Sequence, residues 1–485
     1  MPYRCLADFL EELGRAGELT RVEVEVDPVL EVAEITAQAA RSRGPALLFT
    51  AVKGHDLPVL TNLLGTESRI CRALGVGSLD EVAGRVARLL DTNAPEGWIE
   101  RLRGGSHSAL ASCAPRRVKS AACQQIVRLG SDINLGELPM LTVAANAEKM
   151  GTGASSVADS PKSARRGSEP VPIFSGAGRA ITAAAVFSAE PDSHRPVTGR
   201  FDLQPIDRTR LAVCWAAHDE HARLAAEYRS REQKMPLAVV IGGDPAFVLA
   251  AAAPLPSGGD VCAVAGLLRE KPLDVAACRS VDLEVPADAE IVIEGFVDPA
   301  QPPVSAGPLC TPLGHYSHAR AAPVMQVTAV THRANPIYTV MVPGRPPHEA
   351  CTVDRAMQRV FLPLVRLAMP ELVDYDLPES GAARHWAAVS IRKTCPGQGR
   401  RAAHAAWLVR PTMFAKVLVV VDEDVDVHDP SAVLAAVAAN MNPGRDVLMD
   451  AGPPDPLDPS TPAGALGQRM ALDATRKLAE EHAPR

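Results

Sequence analysis

Between residues 180 and 331 the chain strings together six short apolar stretches: "AITAAAVFSA", "LAVCWAA", "LAVVIGG", "VDLEVP", "EIVIEGFV" and "VMQVTAVT". Pro and Gly separate them. Each is too short to bury one face of a helix and reads as a strand. Many short strands in succession, with helices inserted, commit the middle of the chain to a β-rich barrel or sandwich.

On either side helix and strand alternate. Leu6, Phe9, Leu10 and Leu13 share one helical face. Gly14 and Gly17 end that helix, and "LTRVEVEV" alternates at Val22, Val24 and Val26 as a half-buried strand. Another helical stretch around "EVAEITAQAARSRG" leads into "ALLF", a short buried strand. After about residue 336, "TVDRAMQRVFLPLVRLAM" is helical, and "KVLVVVDEDVDVHD" is a continuous apolar strand ending in carboxylates. An all-apolar strand predicts burial on both faces, as in a parallel sheet. "SAVLAAVAANM" is the next helix, and "GQRMALDATRKLAEEHA" predicts a terminal helix that docks on a partner subunit. The fold class is therefore α/β and β-rich multidomain. An α/β domain is expected over residues 1–115, a β-rich domain over 116–335, a second α/β domain over 336–450, and a tail with the oligomerisation helix over 451–485. Residues 151–170, "GTGASSVADSPKSARRGSEP", read as an exposed flexible loop.

Composition excludes several function classes. A chain of 485 residues is too long for one core. Its formal net charge of −7 gives no electrostatic case for nucleic acid or an anionic membrane. No run of apolar residues reaches the length of a membrane span, and charges interrupt the apolar pattern of the opening stretch, which does not read as a signal peptide. Ten Cys scattered without a CxxC fit reduced thiols in a cytoplasm.

The stretch "SAGPLCTPLGHYSH" (305–318) looks like an active-site loop: Gly and Pro fix its bend, and Cys, Thr and two His decorate it. It holds no carboxylate. His315 is either a general acid or base, given its near-neutral pKa, or a solvent-facing loop residue. Cys310 is a nucleophile or, lacking an adjacent base, a buried structural thiol. His218 and His221, three apart in "AAHDEHARL", share a helical face that could bind a metal or simply meet solvent. The run Asp422, Glu423, Asp424, Asp426 and Asp429 is a metal site on paper and a strand end with a helix cap otherwise. "GRPPHEA" puts Arg345 and His348 in a rigid turn or at a pocket rim.

Several stretches together resemble the UbiD-type decarboxylases, which act with a prenylated flavin. "LADFLEELGRAGELTRVEVEVDP" with "GPALLFTAVKGHDLPVLTNLLG" resembles that family's N-terminal opening. "PLAVVIGGDPAFVLAAAAPLP" and "VDLEVPADAEIVIEGFVDP" resemble its middle domain. "FAKVLVVVDEDVDVHDPSAVLAAVAANMNPGRDV", "PLDPST" and "LDATRK" resemble its C-terminal domain. The resemblance implies that the middle domain is a flavin-binding split β-barrel. It also implies a Glu-Gly-Pro-Phe-Gly-Glu/Asp motif where this chain reads Ala306-Gly307-Pro308-Leu309-Cys310-Thr311. An Asn-x-Gly-x-x-Arg motif falls on Val197 and Asp202, and a metal-binding Glu falls on Val261, with Asp260 and Ala265-Gly266 fixing the register. A metal-binding His falls nearest His218, and Lys416 matches a lysine that contacts the flavin phosphate.

Thr311 is far too weak an acid to deliver a proton near neutral pH. Asp202 in place of an Arg reverses the local charge and repels a substrate carboxylate unless Arg200 compensates. Val197 and Val261 offer no lone pair to a metal. The expectation is a UbiD-like carboxy-lyase, or a related lyase or isomerase, with replaced chemistry, no cofactor and no metal. It would act on an aromatic or unsaturated acid in specialised metabolism and form a homodimer or higher homo-oligomer. Asp202, Thr311, His315 and Arg200 are the candidate catalytic residues. The alternatives are a decarboxylase that holds prenylated FMN with a divalent metal in an altered way, through Lys416, His218 and backbone groups, and a catalytically silent partner subunit.

Overall fold

The computed structural model describes residues 3, 5–90, 113–143, 178–317, 319–381, 383–452, 455, 457–458, 460–461 and 466–481. The loop expected at 151–170 lies outside them. Leu6, Phe9, Leu10 and Leu13 are buried along the helix Leu6–Arg15, as their spacing predicts. Each such side chain contributes roughly 1.5–3 kcal/mol by leaving water. The following strand is shorter than expected. It covers Leu19–Val22 only, and Val24 is exposed.

Leu19–Val22 pairs in parallel with Ala46–Phe49, which is fully buried and runs antiparallel to Val59–Thr61. The fourth strand of this sheet comes from far along the chain: Tyr338–Val340 lies parallel to Val59–Thr61.

The middle of the chain forms one large sheet. Its order is Pro196–Gly199, Ala184–Ala189, Met235–Ile241, Ile291–Val297, Val324–His332, Arg210–Val213 and Leu203–Pro205, with Ile126–Leu129 also pairing with Val324–His332. Ile181 and Leu203 exchange backbone bonds of 2.9 and 3.2 Å, which ties the lead-in to the second strand to the far edge and curls the sheet. A register shift at Glu294/Gly295 bends it further. Gly295 is obligatory there, because a Cβ would lie 2.1 Å from the Gln326 carbonyl oxygen. The expected β-rich middle is present as a curled, barrel-like sheet.

The last sheet has the order Leu372–Asp376, Trp386–Ile391, Val417–Asp422, Gly467–Asp473, Val447–Gly452. Val417–Asp422 is central and has a parallel neighbour on each side, as its unbroken apolar run predicts. The expected terminal helix is corrected: Gly467–Asp473 is a strand, and beyond it the described residues hold only the short 3-10 turn Ala479–Glu481. Pairing on both edges outweighs the helix-favouring Met, Ala and Leu of that segment. No helix among the described residues is long and apolar enough to cross a membrane.

Candidate active site

A hairpin meets the central sheet. Strand Val304–Ala306 pairs antiparallel with Arg320–Ala322, and the register sets Ala306 opposite Arg320. The connecting loop folds on itself. The Thr311 N–H donates to the His315 carbonyl at 2.7 Å, and those of Gly314 and Ser317 donate to the Thr311 and Leu309 carbonyls at 2.9 Å. Gly314 has φ +75°, and a Cβ on it would come within 2.9 Å of the Arg345 nitrogen. Only glycine suits that turn. Two outside contacts hold the loop: the Gly307 N–H donates to Gln204 Oε1 at 2.7 Å, and His348 Nε2 donates to the Pro312 carbonyl at 3.0 Å.

The candidates divide between this loop and the sheet beneath it. Thr311 is buried, and its hydroxyl accepts the His315 N–H at 3.3 Å, which closes the turn. His315 is exposed at the loop tip. Burial, with Asp202 nearby, pushes the Cys310 thiol up to about 11, so it holds no nucleophilic thiolate at neutral pH. Asp202 lies below the protein surface, with part of its side chain still reachable by water. Among the described residues its carboxyl has no hydrogen bond and no ion pair within 4 Å. Loss of solvation pushes it up to about 6, against the pull of Arg320 and then Arg200. Arg200 pairs with Asp354 at 3.3 Å and lines a cleft of about 280 Å³, counting its solvent-open part, with Ala183, Gly242, Phe247 and Met341.

Arg320 carries no signal in the sequence beyond its place just after the loop. Its Nη2 donates to the Cys214 carbonyl, and the Cys214 N–H donates to the Asp202 carbonyl at 3.0 Å. The hairpin register, not spacing in the chain, brings it to the site.

A second group gathers on the last sheet. Lys416 Nζ bonds Asp458 Oδ1 at 3.0 Å and Ser460 Oγ at 2.5 Å. It lines a cleft of about 320 Å³ with Phe414, Asp455, Asp458 and Arg469. His218 is exposed and packs its ring 4.9 Å from that of Phe414. Arg384 stands over the same ring and pairs with Asp455 at 3.1 Å. His218 and His221 do not share a helical face. His218 precedes the helix Glu220–Ser230, whereas His221 is buried against Phe201 and Trp215, where desolvation lowers it to about 4. Of the acidic run, Asp422 pairs with Arg476 and Asp429 caps the helix Pro430–Asn440 through the Ser431 N–H.

Three profiles of one family match the chain. They are the N-terminal domain of 3-octaprenyl-4-hydroxybenzoate carboxy-lyase over residues 10–89, its Rift-related domain over 172–346 and its C-terminal domain over 351–474. The chain belongs to the UbiD family. An uncharacterized protein of Aquifex aeolicus is 36% identical over 99% of this chain and 93% of its own length. The UbiD-class enzyme HmfF of Pelotomaculum thermopropionicum, solved with FMN, is 29% identical with a TM-score of 0.75, covering 99% of this chain and 96% of that one. Vanillic acid decarboxylase of Sedimentibacter hydroxybenzoicus, in its closed form, is 26% identical with a TM-score of 0.83, covering 100% and 95%.

These likenesses correct the expectation of a site without cofactor. HmfF is solved with FMN and, in an evolved dimeric form, with prenylated FMN, which points to a flavin rather than to none. The divalent metal that the UbiD resemblance implies does not fit the residues in its place. Val197 is 1% exposed in an apolar cluster with Leu203, Val213 and Leu237. Val261 opens the buried helix Val261–Arg269, and the adjacent Asp260 spends its Oδ1 on the N–H groups of Cys262 and Ala263 at 2.8 and 3.2 Å. Two apolar side chains and a committed cap supply no coordination shell for a hard cation.

Proposed function

We propose that this UbiD protein is a flavin-dependent decarboxylase of small aromatic or unsaturated carboxylic acids, with a rebuilt set of active-site acids. The full-length likeness to vanillic acid decarboxylase carries the reading. A flavin brings the bond-breaking chemistry, while the protein binds, orients and moves protons. Without a metal bridge, Lys416, which lines a cleft with Phe414 and Arg469, would hold the phosphate end of the flavin.

In the net reaction the bond between carbon and carboxylate breaks, CO₂ leaves, and the electron pair stays on carbon. One proton must then reach that carbon. Among the candidates Asp202 suits this best, because a carboxyl poised near 6 still holds a proton close to neutrality. Thr311 does not.

The test loads the full chain with prenylated FMN and incubates it with a panel of aromatic and α,β-unsaturated acids in ¹³C-bicarbonate. At least one acid should release CO₂ or take label into its carboxyl group. Flavin-loaded protein that neither releases CO₂ nor exchanges label with any acid would overturn the proposal.

A further inference from the structure

We propose that Arg320 binds the substrate carboxylate and that Asp202 donates the proton, so that the guanidinium and the acid have exchanged the places the family resemblance gives them. This rests on the decarboxylase reading and adds the residues that carry it out. The resemblance assigns an acid to position 306 and an arginine to position 202. Here Ala306 has shed the acid, and Arg320 stands directly across the hairpin from it. Paired residues on neighbouring antiparallel strands lie about 4.5–5.5 Å apart at Cα. Position 306, which lost the acid, and the new arginine are therefore backbone neighbours.

The connection to Asp202 runs through Cys214. Arg320 donates to the Cys214 carbonyl, and the Cys214 N–H reaches the Asp202 carbonyl at 3.0 Å. Both residues therefore meet the Cys214 backbone, Arg320 through its side chain and Asp202 through its main chain, and the Arg320 charge acts on the Asp202 carboxyl. Arg320 has no carboxylate within 4 Å among the described residues, whereas Arg200 is held by Asp354 at 3.3 Å. A guanidinium has five N–H donors in a planar fork, and a single carbonyl leaves most of them for a carboxylate. Ala180, Ala212, Cys214, Ala306, Leu309 and Ala322 form a small apolar cluster around the hairpin base. These side chains are buried, and an apolar surround weakens the screening of Arg320.

The chemistry balances. Arg320 meets the carboxylate, CO₂ leaves, and the pair left on carbon takes the proton from the Asp202 carboxyl. Asp202 regains a proton from water. Arg320, Arg200 and the thiols of Cys214 and Cys310 face Asp202 electrostatically, and both thiols are pushed up to about 11, so neither adds charge at neutral pH.

The test separates binding from turnover. Cinnamate and its neutral counterpart cinnamamide are titrated against the full chain. Wild type should prefer cinnamate by about tenfold or more, the scale of one charge-assisted contact. Arg320→Gln should erase the preference, and Arg320→Lys, which keeps the charge if the Gln variant does not fold, should retain part of it. Asp202→Asn should bind cinnamate as well as wild type or better, while deuterium delivery from D₂O to the product falls on the order of a hundredfold. An unchanged preference in Arg320→Gln, its loss in Arg200→Gln instead, or wild-type turnover in Asp202→Asn would each overturn the proposal. A preference that depends on Arg320 while no acid turns over would remove the decarboxylase reading and leave the binding assignment standing.

Discussion

Arg200 and Asp354 pair at 3.3 Å and join the central sheet to the helix Glu349–Val360. The pair shares the charge of an arginine whose field already pulls the Asp202 carboxyl down. Asp354→Asn should release Arg200 and lower the Asp202 carboxyl from about 6 by roughly half a unit to one unit, since a nearby cation favours the charged form. A ¹³C-carboxyl NMR titration reads this directly. An unmoved midpoint would mean that Arg200 stays where it is without Asp354.

Asp202 should also cost stability. Its carboxyl is raised from an ordinary 3.8 to about 6, so the folded chain holds the proton more tightly than the unfolded chain. That contribution is complete below about 3.8 and is lost as pH rises through about 6. At pH 8 Asp202→Asn should therefore be more stable than wild type, by at most about 3 kcal/mol at 1.36 kcal/mol per unit. The gap should close below pH 4. Denaturant midpoints at both pH values check it, and equal midpoints at pH 8 would refute it.

Much of the fold is legible in the sequence because burial there is uniform. Val417–Asp422 reads as a parallel strand since both of its faces are covered. Gly467–Asp473 is misread because its helix-favouring residues are decided by neighbours on both edges, Val417–Asp422 and Val447–Gly452. The site is less legible for the same reason. Asp202 and Arg200 stand out in one short stretch, but Arg320 comes near Asp202 only through strand register, and spacing cannot reveal that His221 turns into the core. Thr311 and His315 are on the expected loop, yet one closes its turn and the other is exposed.

His348 is a positioning residue for that loop. It is buried, and its bond to the Pro312 carbonyl is 3.0 Å. His348→Ala leaves a partly buried carbonyl without that donor, at up to about 1–3 kcal/mol. Amide exchange at Thr311, Gly314 and Ser317 should speed up while that of Val420 stays slow. Unchanged protection across the loop would show that Gln204 alone holds it.

Lys416 shares its charge with Asp458 at 3.0 Å, so a flavin phosphate there competes with a carboxylate. Asp458→Asn should tighten FMN binding by about tenfold, and Lys416→Ala should weaken it comparably. Flavin fluorescence quenching measures both. Equal affinity in all three proteins would place the phosphate elsewhere.

The strand Tyr338–Val340 has a consequence for how the chain is made. Val59–Thr61 emerges early from a ribosome, with Ala46–Phe49 on one edge and nothing on the other until residue 338 arrives. Tyr338, 1% exposed, then fills that edge, and its N–H reaches the Pro58 carbonyl at 2.9 Å. Closing so long a loop is slow, and an open strand edge invites wrong partners in the interval. The first sheet to be translated is thus among the last to be finished, and the nascent chain must shelter it throughout synthesis of the central sheet.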